Sequence, residues 1–96
     1  MNIYFHPDAL REFEEAIDYY SEIDTKLGYS FAKEVQSALK RIISFPEAWT
    51  EIDKNIRRCL IHRFPFGVLY AKKGDAIYIL AIMHLHRNPA YWKDRK

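Results

Sequence analysis

Cysteine is almost absent from this sequence, and its scarcity rules out two kinds of site. Cys59 is the only cysteine, so an intramolecular disulfide and a zinc cage built from cysteine thiolates are both excluded. The three glycines do not have the spacing of a phosphate-binding loop or of a dinucleotide fingerprint. His84 and His86 are close together, but no further ligands follow them at a recognised spacing. We therefore expect neither a metal nor a cofactor.

Long hydrophobic runs are also missing. No apolar stretch reaches the length of about 18 residues that a membrane-spanning helix needs. The N-terminal residues do not combine a basic stretch with a long apolar run, as a secretory signal does. We expect a soluble, cytoplasmic protein with no membrane partner.

Aromatic residues, in contrast, are abundant for a chain of this size. The chain has 96 residues, of which 49% are hydrophobic and 16% aromatic. This length and composition predict one folded domain over residues 1–96. So small a domain cannot bury all of its 7 Tyr, 6 Phe and 2 Trp rings. We expect some of them to face a partner protein, because Tyr and Trp are favoured at interfaces.

Charge is distributed unevenly along the chain. Residues 1–53 contain 5 Lys and Arg against 11 Asp and Glu, whereas residues 54–96 contain 10 against 2. The basic second half favours an anionic partner, of which nucleic acid is the usual example. A plainer interpretation is equally open: acidic helices with solvated outer faces, and strands with Lys and Arg at their edges.

Hydrophobic periodicity and turn residues divide the chain into six elements. Apolar residues at helical spacing predict two helices, separated by a break over residues 24–28. Pro46 ends the second helix, and the mostly polar segment 46–55 is predicted to be a loop. Runs rich in β-branched and aromatic residues predict one strand before the helices and three after them. In order, the elements are strand 2–6, helix 8–23, a second helix up to residue 45, and strands 56–64, 66–72 and 76–84.

The element order β-α-α-β-β-β predicts an α+β fold. A helical hairpin is expected to pack on one face of a small, curved, mainly antiparallel sheet. The last strand is apolar on both faces, with Ile77, Ile79, Ala81 and Met83 alternating with Tyr78, Leu80 and Ile82. That pattern is typical of a central strand covered on two sides. Helices cover one side, and we expect a bound partner to cover the other.

Four local motifs follow one another along the chain. They are Pro-Asp-Ala at 7–9 before an acidic helix with Tyr-Tyr at 19–20; Ile-Ile-Ser-Phe-Pro at 42–46; Arg-Arg at 57–58 leading to Arg-Phe-Pro-Phe-Gly-Val-Leu-Tyr at 63–70; and Ala-Ile-Met-His-Leu-His-Arg-Asn-Pro-Ala-Tyr-Trp at 81–92. In this order they resemble the RelE/ParE toxin superfamily, and the likeness extends over nearly the whole chain. The pattern, with its Arg-Cys-Leu strand and its C-terminal end, is closer to the ParE-like, plasmid-stabilisation branch.

The resemblance implies a bacterial toxin of a type II toxin–antitoxin system that a co-expressed antitoxin neutralises. Members of this superfamily inhibit growth in one of two ways. RelE-like toxins cleave messenger RNA in the ribosomal A site, and ParE-like toxins bind DNA gyrase without known catalysis. A third possibility is a degenerate relative that still binds an antitoxin but is no longer toxic.

If the chain is a nuclease, the C-terminal residues carry the groups that RNA cleavage needs. His84, Arg87 and Tyr91 are the candidate catalytic residues, with His84 or His86 as base or acid and the arginines holding phosphate. The segment before the second strand offers only Lys54 for phosphate contact, with Glu51 beside it. This departure from the lysine-rich RelE-like pattern favours the gyrase-binding branch.

If the chain acts by binding alone, basic and aromatic residues are expected to contact the target. A structural interpretation of the C-terminal residues is open as well, with Arg87 paired to Asp94 or to a helix carboxylate and the rings packed over the sheet. The candidate residues for target or nucleic-acid binding are Arg57, Arg58, Arg63, His86 and Trp92.

Overall fold

The helical layer consists of two helices joined by a single residue. In the computed structural model, which describes residues 1–95, α1 spans Pro7–Ile23 and α2 spans Thr25–Ser44. Asp24 caps both: its backbone N–H donates to the Tyr20 carbonyl, and its side chain accepts a hydrogen bond from the Lys26 backbone N–H at 2.8 Å. Because these caps satisfy the end of α1 and the start of α2, the helices form a tight hairpin.

The break between the helices is shorter than the sequence predicted. Gly28 lies inside α2, where it is buried, and not in the link. A Cβ atom at this position would collide with the Ser21 hydroxyl of α1. Glycine is therefore needed for the close approach of the two helices, a role that a local pattern does not distinguish from a turn.

Within residues 1–95, five strands form one mixed sheet. They are β1 (Asn2–Phe5), β2 (Thr50–Asp53), β3 (Ile56–Leu60), β4 (Phe66–Lys73) and β5 (Ala76–His84). The sheet order is β1-β5-β4-β3-β2, with β1 parallel to β5 and the other neighbours antiparallel. The predicted α+β fold, a helical hairpin on one face of a mainly antiparallel sheet, is confirmed.

The element order gains one strand, so that it reads β-α-α-β-β-β-β. The prediction of a loop over the whole of residues 46–55 is wrong, because β2 forms there and pairs with β3. This strand is exposed at the edge of the sheet, so it carries none of the apolar alternation by which half-buried strands are recognised. Asn55 has a φ of 61° in the turn that follows, a conformation that asparagine adopts more readily than most residues.

The two faces of the sheet carry separate hydrophobic cores. The core beneath the helices includes Phe31, Val35, Ile42, Val68, Tyr70, Ile77 and Ile79. The opposite face carries Ile56, Leu69, Ala71, Leu80, Ala81 and Met83, packed with Trp92. The expectation that a partner must cover this second face is corrected, because the C-terminal segment of the chain itself covers part of it. Neither helix of the described residues is long and apolar enough to cross a membrane.

A bulge in β5 changes which residues point to each core. Leu69 pairs with Ala81 and Tyr70 pairs with Ile79, so Leu80 is an extra residue in the ladder. Strict alternation therefore fails at this point. Ile82 belongs to the core beneath the helices, whereas Ala81 belongs to the opposite core.

Candidate functional site

Glu12 is the centre of a polar cluster at the open edge of β5. It lies on α1 and is only 9% exposed. Pairing of β5 with β1 stops at Phe5, and the Glu12 carboxylate accepts a hydrogen bond from the Ile82 backbone N–H at 3.1 Å. The same carboxylate accepts hydrogen bonds from Arg87 at 3.3 Å and from Arg95 at 2.9 Å. One buried carboxylate thus connects α1, β5 and the C-terminal tail, which we define as residues 85–95.

Tyr91 is enclosed by the two arginines that bind Glu12. The guanidinium carbon of Arg87 lies 3.8 Å from the centre of the Tyr91 ring, and that of Arg95 lies 4.9 Å from it. Burial raises the pKa of Tyr91, and the nearby Glu12 carboxylate raises it further. The phenol is therefore protonated at neutral pH, and its hydroxyl oxygen is buried from solvent. In this position Tyr91 supports the tail and is unsuited to act as a base.

The two C-terminal histidines lie together at the end of β5. The Nδ1 atom of His84 accepts a hydrogen bond from the His86 backbone N–H at 3.1 Å, and the two ring centres are 5.2 Å apart. On its other side the His84 ring packs against Phe66, with 5.0 Å between ring centres. His84 is half-buried and His86 is exposed. Arg87 and His84 line the same groove beside α1. His84, His86 and Arg87 are therefore neighbours.

Trp92 anchors the tail on the face of the sheet opposite the helices. It is 1% exposed and packs with Leu69, Met83 and their neighbours in the second core. Such burial means that Trp92 contacts a target only if the tail lifts away from the sheet. The structural interpretation therefore describes how Tyr91 and Trp92 pack over the sheet. It also describes the pairing of Arg87 with a helix carboxylate, that of Glu12.

The three candidate arginines lie in different places. Arg57 donates a hydrogen bond to the Trp49 carbonyl at 2.7 Å and so supports the segment before β2. Arg58 lines a crevice together with Trp92 and other residues of the tail. The predicted strand over residues 56–64 would contain all three, but β3 ends at Leu60, so Arg63 lies beyond it. In the sheet, β4 separates β3 from β5.

Arg63 has an unfavourable backbone conformation. Its φ of 72° lies in the left-handed region, which strongly disfavours residues other than glycine, asparagine and aspartate. Its side chain is exposed, and the guanidinium carbon lies 5.6 Å from the centre of the Phe64 ring. Because backbone strain of this kind concentrates at functional positions, Arg63 is the candidate arginine with the strongest structural indication of a role.

A groove beside the tail is a surface that sequence reasoning missed. It lies along the face of the sheet opposite the helices and has a volume of about 550 Å³. Tyr4 and Tyr78 stack at one side, with ring centres 5.4 Å apart, and Lys73 lies 5.7 Å from the Tyr78 ring. The surplus of tyrosines was the available signal, but the parallel pairing that places β1 beside β5 was not predicted. The remaining lining residues are Phe5, His6, Lys54, Asn55, Ile56, Ala71, Lys72, Ile79, Leu80 and Arg95.

Metal ligands are not gathered anywhere in residues 1–95. No group of three or more His, Cys, Asp or Glu residues in this part of the chain is placed to hold a metal ion. Cys59 is buried beneath the helices, and burial raises the pKa of its thiol despite the nearby Arg41. A protonated, buried thiol is a small hydrophobic side chain and not a nucleophile.

The fold is consistent with a RelE/ParE-type toxin, and a match to a family model shows that class. The family model described as the ParE toxin of the type II toxin–antitoxin system parDE matches residues 3–89. The chain therefore belongs to the ParE toxin family.

A solved structure described as the chromosomal ParDE TA system from P. aeruginosa contains a similar fold. The TM-score is 0.65 at 18% sequence identity, and the likeness covers 90% of this chain and 97% of the other. At this level of identity the likeness concerns the fold alone. No match was found among the curated proteins.

Proposed function

We propose that this chain is a toxin that stops bacterial growth by binding DNA gyrase in the cytoplasm, and that a cognate antitoxin neutralises it. Membership of the ParE family supports a toxin that has an antitoxin partner. One observation in the tail favours binding over catalysis. The Arg87 guanidinium is already hydrogen-bonded to the Glu12 carboxylate and packed against the Tyr91 ring.

This engagement leaves the nuclease candidates poorly prepared for chemistry. General acid–base catalysis needs a group that reaches the substrate and exchanges a proton near neutral pH. The Tyr91 hydroxyl is buried and its pKa is raised. Arg87 is paired with the buried Glu12 carboxylate, so using it to hold phosphate would leave that carboxylate with one fewer cation.

Arg63 is proposed as a principal contact with the target. Its exposed guanidinium and its strained backbone are explained together if the arginine side chain is required at this position. Arg58 and His86 extend the same proposal, since each is at least partly accessible. Substituting Arg63→Glu is expected to abolish growth inhibition while thermal melting stays close to that of the wild type. Lys40→Glu, an equal change of charge on the exposed face of α2, is the matched control and should remain toxic.

The target is identified by pulse labelling of DNA and protein synthesis just after induction without the antitoxin. Gyrase binding requires that DNA synthesis falls first and that a DNA-damage response follows. Purified protein should then inhibit supercoiling by gyrase, and the Arg63→Glu variant should not. If protein synthesis falls first, the gyrase proposal is wrong.

A ribosome-dependent endoribonuclease is the second candidate, and the His84–His86 pair is the observation that favours it. The two imidazoles are in contact at the surface, next to Arg87. If the chain is a nuclease, the wild type should cleave messenger RNA that is bound to programmed ribosomes. His84→Ala combined with His86→Ala should remove that activity without a change in melting, because such groups act mainly in the transition state.

A degenerate relative that only binds an antitoxin is the third possibility, and induction tests it directly. If growth continues and neither synthesis falls, while the chain is present and folded, toxicity is absent. The family membership would be unaffected by that result.

A further inference from the structure

We propose that the groove beside the tail is a docking site for an acidic peptide segment with apolar side chains. This inference rests on the proposed function, because the segment that we assign to the groove belongs to the antitoxin. The groove is lined by Tyr4, Tyr78, Lys54, Lys73, Leu80 and their neighbours.

The charge of the lining is the first argument. Four cationic side chains contribute to the groove, and none of the Asp or Glu side chains within residues 1–95 lines it. One of them, Arg95, is already bound to Glu12 and faces Asp8 at 3.7 Å. Lys54, in the turn between β2 and β3, and Lys73, at the end of β4, are both exposed. Exposed lysines beside an uncharged floor are complementary to a ligand that carries carboxylates.

The floor of the groove is the second argument, and it favours a peptide over a nucleic acid. Ile56, Ala71 and Leu80 are aliphatic, and all three are buried in the second core. A surface of this kind accepts leucine-like side chains, whereas single-stranded nucleic acid is bound by aromatic rings with free faces. Here the Tyr78 ring is stacked on Tyr4 and also contacts Lys73, so it is poorly available for base stacking.

The aromatic side of the groove is the third argument. Tyr4 is 50% exposed and Tyr78 is 38% exposed. Tyrosine rings at the margin of an apolar floor are typical of protein interfaces, because one part of the ring is buried and the hydroxyl is hydrated. The position beside β1, the edge strand of the sheet, also leaves room for an extended segment.

Selection from a random dodecapeptide phage library tests the chemistry of the occupant directly. The wild-type chain is the bait, and the Lys54→Glu/Lys73→Glu double variant is the counter-selection. We expect the enriched peptides to combine Asp or Glu with Leu, Ile, Val or Phe. A synthetic copy of an enriched peptide should bind the double variant about tenfold more weakly than the wild type, since two attractive contacts become repulsive.

Two controls make the result specific to the groove. Lys26→Glu/Lys33→Glu makes the same change of charge on the exposed face of α2 and should bind the peptide as the wild type does. Thermal melting of both double variants checks that each is folded. Octauridylate is titrated in parallel as the nucleic-acid probe.

Three outcomes would overturn the inference. They are the absence of enrichment, enrichment of peptides without acidic residues or with equal affinity for the Lys54→Glu/Lys73→Glu variant, and tighter groove-dependent binding of octauridylate than of the peptides. Growth inhibition on induction is scored separately. Peptide binding without growth inhibition would refute the proposed toxicity and leave the groove assignment standing, whereas growth inhibition without peptide binding would refute only the groove assignment.

Discussion

Glu12 connects backbone and side-chain groups that are 70 to 83 residues away in the chain. Its carboxylate accepts hydrogen bonds from a strand N–H that has no partner in the sheet and from two arginines, one of which, Arg95, has a side chain that is only 9% exposed. The effect of such a residue on stability is seen mainly when it is removed. Removing one partner of a buried ion pair leaves the other charge without compensation, which is more unfavourable than the net value of the pair.

Glu12→Ala is therefore expected to destabilise the chain by about 3 kcal/mol. The stability of Glu12→Gln should lie between those of Glu12→Ala and the wild type, because an amide oxygen can still accept a hydrogen bond from the Ile82 N–H. Urea unfolding measures both, and the slope with denaturant should not change. Glu14→Ala, an exposed residue on the same helix, should change stability by no more than about 0.5 kcal/mol. Equal effects at the two positions would refute the role given to Glu12.

Tyr70 gives a second prediction at the residue scale, and this one depends on pH. Its hydroxyl donates a hydrogen bond to the Pro46 carbonyl at 2.6 Å, and burial raises its pKa from 10.0 to about 12. The folded state thus keeps a proton that the unfolded state releases. Between pH 10 and 12 this group should lower the unfolding free energy by up to about 1.4 kcal/mol per pH unit, and it has no such effect below pH 10.

Tyr70→Phe should remove this part of the pH dependence. Near neutral pH the variant should be less stable by about 1 kcal/mol, because the Pro46 carbonyl loses its partner. Because the wild type should lose more than about 1 kcal/mol between pH 10 and 12, the stability of the variant should reach that of the wild type within this range and then exceed it. Tyr29→Phe, an exposed ring on α2, provides the comparison and should leave the whole profile unchanged. Parallel profiles for Tyr70→Phe and the wild type would contradict the assignment.

Among the elements, the tail is a structural part of the sheet and not a free end. Trp92 covers the second core, and the arginines on either side of Tyr91 are fixed by Glu12. The tail lies on the face opposite the helices, so the chain itself covers part of the second face of β5. The doubly apolar pattern of β5 indicated two covers correctly, but the expectation assigned to a partner a surface of which the tail covers a part.

Trp92→Ala is expected to destabilise the fold by about 3–5 kcal/mol, as large-to-small changes in a core do. The second core would then bind an environment-sensitive hydrophobic dye more strongly. Chemical unfolding and dye fluorescence measure the two effects, with Pro89→Ala at an exposed position of the tail as control. A stable Trp92→Ala variant that lacks toxicity would show instead that Trp92 contacts the target directly.

At the scale of the whole molecule, a small fold with several exposed large hydrophobic side chains should depend on its partner for stability. Tyr19, Ile23, Tyr29 and Phe45 are each at least 60% exposed. An antitoxin that binds only the folded form adds to its stability by mass action. At a free concentration about a hundredfold above Kd, the gain is about 2.7 kcal/mol. Identical unfolding curves for the free chain and for the complex with saturating antitoxin would refute a partner that binds the folded toxin.

The sequence by itself determined the features that depend on neighbours along the chain. The two helices follow from apolar residues at a spacing of about 3.6, and three of the strands after them follow from β-branched and aromatic runs. Caps and prolines placed most boundaries to within a few residues. The resemblance to RelE/ParE toxins rests on such contiguous motifs, and the ParE family match confirms it.

Only the tertiary structure decided the features that join distant residues. It paired β1 with β5 in parallel, formed the polar edge strand β2, inserted the bulge at Leu80 and folded the tail over the second core. It also assembled the Glu12 cluster and the groove beside the tail. The physical reason is that these contacts gain their free energy from burial and from pairing of backbone groups across the whole fold. No local window of sequence contains both partners of such a contact.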